Sequence, residues 1–331
     1  MASFALFTFE NRQENMHEKS LAGFISDKAC RLLLKFRNKE KVTKINLFDE
    51  VELCVVNAPY GIGDVLSGKK DMGPLIERVK ARYNVGRCIV PRSLYRKGRY
   101  GEGDIGDAGY VCEFSGQTLY KALLINIIKD VFNKKRRNIC DLDITVVHQN
   151  NREELYAIIA VLSPFVKYIT VATGDKESID DEIAEISYNT GLAIRVTGDY
   201  KNAVKNAELI INLAYPNQPS INIRTNFKQV VINYGAPGLE QVSGEGTVIN
   251  GIDICIPPGI ACMLDKELFE HYSKLELSEI LLSHKSGCQE RICGVLCDYE
   301  LATCLAGEFY RHCYSICGYM GRHNAFKASA F

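Results

Sequence analysis

Residues 143–155 read "DITVVHQNNREEL". The run Ile144-Thr145-Val146-Val147 has the composition of a strand buried on both faces, and the segment from Arg152 onward opens a helix. The turn between such elements is where an α/β protein closes its backbone around a phosphate. That closure favours glycine, because a Cβ would hold the anion away from the backbone N–H groups. Here the turn is His148-Gln149-Asn150-Asn151, and every position carries a side chain. Asparagine tolerates left-handed backbone, so the turn itself can persist. The helix N-terminus still offers free N–H groups and a partial positive charge. Glu153 and Glu154, however, place two carboxylates in that first turn and oppose a phosphate there.

Working outward from this junction, strands and helices alternate. The helix over 152–162 is followed by a strand at 168–173, a helix at 176–189, a strand at 192–197 and a short helix at 200–206. Strand-like runs come next at 207–215, 229–235 and 246–254. Such alternation means βαβ units, and right-handed crossovers wind them into a doubly wound, mostly parallel sheet of about six strands. The expected fold is therefore α/β, with a Rossmann-like domain over 116–260. A helix over 118–133, with Thr118 as its N-cap, precedes it.

Upstream, 1–115 reads as a smaller N-terminal α/β domain. It has strands at 4–9 and 51–59, a helix over 18–38, and Gly/Asp-rich loops at 60–74 and 98–109. Downstream, 261–331 shows no strand alternation. Its segments 266–284 and 293–321 read as two helices that pack back on the N-terminal domain.

The 331 residues suffice for two domains. Forty basic and forty acidic residues cancel, which argues against nucleic acid or an anionic membrane surface as a partner of the whole chain. The run Lys134-Lys135-Arg136-Arg137 reads as a solvated helix end. No apolar run approaches the ~20 residues of a membrane span. The start "MASFALFTFENRQ" turns polar too soon for a secretory signal. Thirteen cysteines without a C-x-x-C pair then imply reduced thiols and a cytoplasmic location. His312, Cys313 and Cys317 lack the spacing of a metal site, and no metal is expected.

Several stretches resemble a known family. "FSGQTLYKALLINIIKDVFNK" (114–134) is similar to the turn and following helix of the long-chain acyl-[acyl carrier protein] reductases, relatives of the shikimate dehydrogenase-like amino acid dehydrogenases. "VVINYGAPGLEQVSGEGTVINGIDI" (230–254) resembles their late-strand run. "CGVLCDYELATCLAGEFY" (293–310) carries the pattern C-x-x-E before an apolar helix, and "CGYMGRH" (317–323) resembles the family's W-G-R-N. The likeness covers about two-thirds of the chain. It implies a reductase that holds an acyl group as a thioester on Cys297, with Glu300 completing the motif, and reduces it with NADPH. A thiolate is a competent nucleophile for such chemistry. The chain departs from the family at 148–151, where the family has G-A-T-G, and at Thr173, where the family tends to a basic residue.

The carboxyl ends of the strands are where a doubly wound sheet binds its ligand. Candidate cofactor residues there are His148, Asn150, Asn151, Thr173, Asp175, Lys176, Ala214 and Tyr215. Asp175 is placed to accept a ribose hydroxyl and Lys176 to meet a phosphate. Two functions stay open, beside a remoter one, a cysteine-dependent acyl transferase that uses Cys297 without hydride chemistry. One is an NAD- or NADP-linked oxidoreductase acting on a small-molecule or acyl substrate. The other is a fold that has lost its dinucleotide and serves as a non-redox small-ligand or protein-binding module; homo-oligomerisation is left open.

Overall fold

The computed structural model describes residues 2–10, 40–95, 114–149, 152–214, 223–234, 242–288, 299–321 and 325–327. The expected helix over 18–38 and the loop at 98–109 lie outside the described residues. The chain divides into two units, Met1–Ser115 with Pro257–Gly294, and Gly116–Ile256 with Val295–Phe331. The block 261–331, read from sequence as one helical region, is thus shared between them.

The first unit contains β1 (Ala2–Phe9), β2 (Lys41–Leu47), β3 (Val51–Ala58) and β4 (Arg87–Ile89), in the sheet order β2-β3-β1-β4. β1 runs parallel to β3 and β4, and β2 antiparallel to β3. Phe4, Ala5, Leu6 and Phe7 are fully buried, because β1 is covered on both faces. Ala5 and Phe7 pack with Leu75, Ile76 and Val79, the buried face of helix Gly73–Tyr83. Part of the segment read as a loop at 60–74 is helical, forming Ile62–Leu66 and the start of Gly73–Tyr83. The single helix expected over 266–284 is broken into Lys266–His271 and Lys274–Ser286. The break has a local cause. Ser273 and Glu276 form a capping box, in which Ser273 Oγ accepts from Glu276 N at 3.1 Å, and this starts a new helix at Lys274.

The second unit continues with β5 (Ile144–His148), β6 (Tyr168–Thr173), β7 (Ala193–Thr197), β8 (Leu209–Asn212), β9 (Ile223–Thr225) and β10 (Val230–Asn233). It closes with β11 (Val242–Gly244), β12 (Thr247–Ile249), β13 (Gly251–Cys255), β14 (Ser315–Met320) and β15 (Ala325–Lys327). Six of these form one parallel sheet in the order β12-β10-β8-β5-β6-β7, as the sequence pattern predicts. Every residue of β5, β8 and β10 is buried, which explains their unbroken apolar runs. Helices Gln117–Ala122, Arg152–Leu162 and Tyr299–Arg311 pack together. In Tyr299–Arg311, the residues Leu301, Leu305 and Phe309 are fully buried at helical spacing.

Three expectations change in this unit. The run 246–254 is two strands, and only β12 joins the parallel sheet; β13 turns away at Asn250 and pairs antiparallel with β14. Residues Ser315–Met320 and Ala325–Lys327 are strands, not helix, with β14 also pairing β15. Thr118 is not a cap, because the helix starts at Gln117 after Gly116 with φ 76° and pauses at Leu123 before resuming as Leu124–Lys134. The glycines of "SGEG" are required by close packing: a Cβ on Gly244 would lie 2.0 Å from Thr225 O.

One buried titratable group in the first unit has a consequence for stability. The His284 ring stacks on Phe4 with centroids 3.8 Å apart, and its Nδ1 lies 2.8 Å from Ile280 O, a pure acceptor that fixes the proton on that nitrogen. Burial, reinforced by the Arg87 charge, pushes the imidazole down to about 4. An unfolded histidine takes up its proton near pH 6.5, whereas the folded one resists until about pH 4. Stability is therefore full above pH 6.5 and falls between 6.5 and 4, by about 3 kcal/mol in all. Urea unfolding of wild type and His284→Phe from pH 8 to 4 is expected to show this extra slope in the wild type alone.

Candidate functional site

The parallel sheet, numbered from its first strand β5, runs in the order 3-2-1-4-5-6. This is the strand order of dinucleotide-binding sheets, and the reversal of chain direction falls between β5 and β8. The unit is a Rossmann-like α/β fold. Its ligand edge is the row of carboxyl ends formed by His148, Thr173, Asn212, Asn233 and Asn250.

On one side of the reversal, side chains fill the edge. His148 is buried at the end of β5 and stands in register with the buried Thr173. His148 Nδ1 lies 3.5 Å from Thr173 Oγ1, the outer limit of a hydrogen bond. Thr173 Oγ1 in turn accepts from Asp175 N at 3.2 Å. Tyr200, at the start of helix Tyr200–Asn206, reaches over and places its hydroxyl 3.4 Å from His148 O. Burial pushes that phenol above its ordinary range, so it stays a protonated donor at neutral pH. Asp175 and Lys176 are exposed beyond β6. Asp175 Oδ2 lies 3.8 Å from Arg152 of the adjoining helix, and Arg152 also lies 3.8 Å from Glu182.

The acidic first turn of helix Arg152–Leu162 behaves differently from its sequence. Glu153 is exposed, but Glu154 is buried and ion-paired with Lys121 of helix Gln117–Ala122. Its charge is met inside the fold rather than presented at the helix terminus, so only Glu153 opposes an anion there as the sequence suggested.

On the other side of the reversal, three asparagines form a chain across the ends of three strands. Ala214 N donates to Asn212 Oδ1 at 3.2 Å, Asn212 Nδ2 to Asn233 Oδ1 at 2.9 Å, and Asn233 Nδ2 to Asn250 Oδ1 at 2.9 Å. Asn250 Nδ2 then donates to Gly321 O at 3.2 Å, while Asn250 N donates to Met320 O at 2.7 Å. The direction of every amide is determined. A backbone N–H at one end demands an oxygen, a backbone carbonyl at the other demands a nitrogen, and a flip of any one amide would place like atoms together. The chain holds the buried Ala214 in place and ties the β14 hairpin to the sheet edge.

Of the residues singled out from sequence, His148, Thr173 and Asp175 come together, Lys176 follows them in the chain, and Ala214 sits at the end of β8. Glu300 is exposed at the start of helix Tyr299–Arg311. Asn150, Asn151, Tyr215 and Cys297 lie outside the described residues. Among the described residues no cluster of histidine, cysteine and acidic groups can hold a metal, and His312 Nε2 instead lies 3.1 Å from Glu308 Oε2. Sequence reading missed Lys121, Tyr200 and the asparagine chain. The chain did leave a signal: β8 and β10 end in Ile-Asn, and β12 ends in Ile249 with Asn250 directly after it.

No protein-family model matches the chain, and no curated protein matches it in sequence. Solved structures are similar only at a low level. Pyrroline-2-carboxylate reductase from Thermococcus litoralis, solved with NADH and L-proline, has a TM-score of 0.24 and 10% identity, covering 36% of this chain and 36% of that one. The chain thus spans about a third of that reductase. The nucleotide-binding domain of glutamyl-tRNA reductase from Thermoplasma volcanium has a TM-score of 0.23 and 15% identity, over 40% and 86% of the two chains. The catalytic subunit of M. jannaschii aspartate transcarbamoylase has a TM-score of 0.33 and 12% identity, over 73% and 75%. These likenesses divide between reductases and a carbamoyl transferase, and at this level they carry no argument for an activity. Among the described residues no helix is long and apolar enough to cross a membrane.

Asn233→Leu tests the asparagine chain. It strands Asn212 Nδ2 and Asn250 Oδ1 without partners and is expected to lower stability by about 2–4 kcal/mol, measured by urea unfolding.

Proposed function

We propose that the Rossmann-like unit binds a nicotinamide dinucleotide, NAD or NADP, across the carboxyl ends of β5 and β8, and that the protein is an oxidoreductase of a small-molecule or acyl substrate. The observation that carries this reading is the strand order, whose reversal between β5 and β8 is the position where doubly wound sheets bind their ligand. The residues beside it suit the adenosine end. Asp175 is an exposed carboxylate just beyond β6, where a ribose hydroxyl finds its acceptor, and Arg152 stands close enough to meet a 2′-phosphate. The inward turn of Glu154 to Lys121 removes one of two charges that would repel a pyrophosphate. When bound, the dinucleotide would supply or accept the hydride. Asn212 would hold the Ala214 backbone on the nicotinamide side, and Cys297, three residues before Glu300 in the chain, would carry an acyl group as a thioester.

A specific observation favours a second reading. His148, Thr173 and Tyr200 occupy the edge between β5 and β6, where other folds of this class keep glycine and open space. In that reading the fold persists without a dinucleotide and serves as a non-redox small-ligand or protein-binding module.

Titration of the full chain with NADH and with NADPH, followed by calorimetry and nicotinamide fluorescence, separates the two. The first reading expects binding of at least one cofactor and about tenfold weaker NADH binding in Asp175→Ala. Absence of heat and of any melting shift at millimolar cofactor leaves the second reading standing.

A further inference from the structure

The second unit has a groove of about 270 Å³ away from the asparagine chain. It opens on the sheet face that carries Val147 and Ala172, against which helix Tyr200–Asn206 packs. That helix has seven residues and is about 10 Å long; it packs over β5 and β6, while β7 stays partly exposed at the rim. The face beside it is not apolar. Thr145, Thr170 and Arg195 stand in one cross-strand row, and Tyr168 and Thr197 flank it on the same face.

Most polar groups in this groove are already used by the fold. Thr145 Oγ1 donates to Ala203 O at 3.1 Å, the Tyr168 hydroxyl and Thr170 Oγ1 bond each other at 3.1 Å, and Thr197 Oγ1 accepts from Asp199 N at 3.1 Å. Asp199 caps the helix by accepting from Asn202 N at 3.1 Å, which holds its carboxyl below the usual range. Three groups remain. Among the described residues the side chains of Arg195, Asp143 and Asn206 make no hydrogen bond or ion pair, and all three line the groove. They are one cation, one anion and one amide. From strand geometry, the Arg195 and Asp143 Cα atoms are about 12 Å apart, two strands across and two residues along. Among the described residues the two form no ion pair, so each charge is open to a ligand in the groove.

We propose that this groove binds a small zwitterion of the α-amino-acid type, with its carboxylate on Arg195, its ammonium on Asp143 and its remaining polar atoms on Asn206. Arginine presents a planar pair of N–H donors to a carboxylate, and an aspartate accepts from an ammonium. The site is separate from the carboxyl edge and does not depend on dinucleotide binding there.

The test titrates the full chain with each standard L-amino acid and follows backbone amide shifts by NMR. At least one amino acid is expected to shift the amides of Thr170, Arg195 and Asn206. Its hydroxy-acid analogue, which lacks the amine, and its decarboxylated amine are each expected to bind about tenfold more weakly or less. Arg195→Gln and Asp143→Asn, both at exposed positions, are expected to weaken binding by a similar factor while the response to NADH or NADPH stays as in the wild type. The proposal is overturned if no amino acid at millimolar concentration moves those amides, if both variants bind as the wild type does, or if the hydroxy acid binds equally well, which would make the groove a plain anion site. A failed cofactor titration with intact amino-acid shifts would count against the dinucleotide reading alone.

Discussion

The central strands of this parallel sheet, β5, β8 and β10, are buried along their whole length, and most of their polar groups sit at the ends. An end that is itself buried must then satisfy its groups internally, since an orphaned amide costs about 1–3 kcal/mol. The asparagine chain from Ala214 N to Gly321 O is the solution on one half of the edge, and the His148–Thr173–Tyr200 group is the solution on the other. The remainder of the second unit follows from this requirement. β13 departs from the sheet at Asn250 because that residue must meet both Asn233 and the β14 hairpin.

The same constraint shapes the electrostatics. The buried Glu154 is a cost unless paired, and Lys121 pairs it. The helix after β5 therefore presents one unpaired carboxylate fewer than its sequence suggests. At the rim, Arg152 stands between Asp175 and Glu182 at 3.8 Å from each, a loose arrangement that an arriving ligand can rearrange at little cost. The edge thus combines a rigid buried part and an adaptable exposed part, the division that a binding site needs.

Much of the fold was legible in the chain. Alternating strand and helix runs between 143 and 233 predicted the parallel sheet, and the bounds of helix Arg152–Leu162 and strand Tyr168–Thr173 agree with the reading from periodicity. Most of the errors share a cause. The C-terminal strands β14 and β15 and the split at Asn250 depend on partners distant in sequence, and local pattern carries no trace of a pairing between 251–255 and 315–320. The break before Lys274 was different, since Ser273-Lys-Leu-Glu276 is a capping-box signature present in the sequence itself.

By itself, the sequence determined the α/β class, the six parallel strands and the replacement of glycine by His148 and Gln149 at the phosphate corner, because burial periodicity and side-chain bulk are local properties. Tertiary structure alone decided that Glu154 turns inward to Lys121, that three strand ends join through Asn212, Asn233 and Asn250, and that Arg195 and Asp143 face one groove. Hydrogen bonds and charge pairs act over a few ångströms in space, and only folding brings residues so far apart in the chain within that distance.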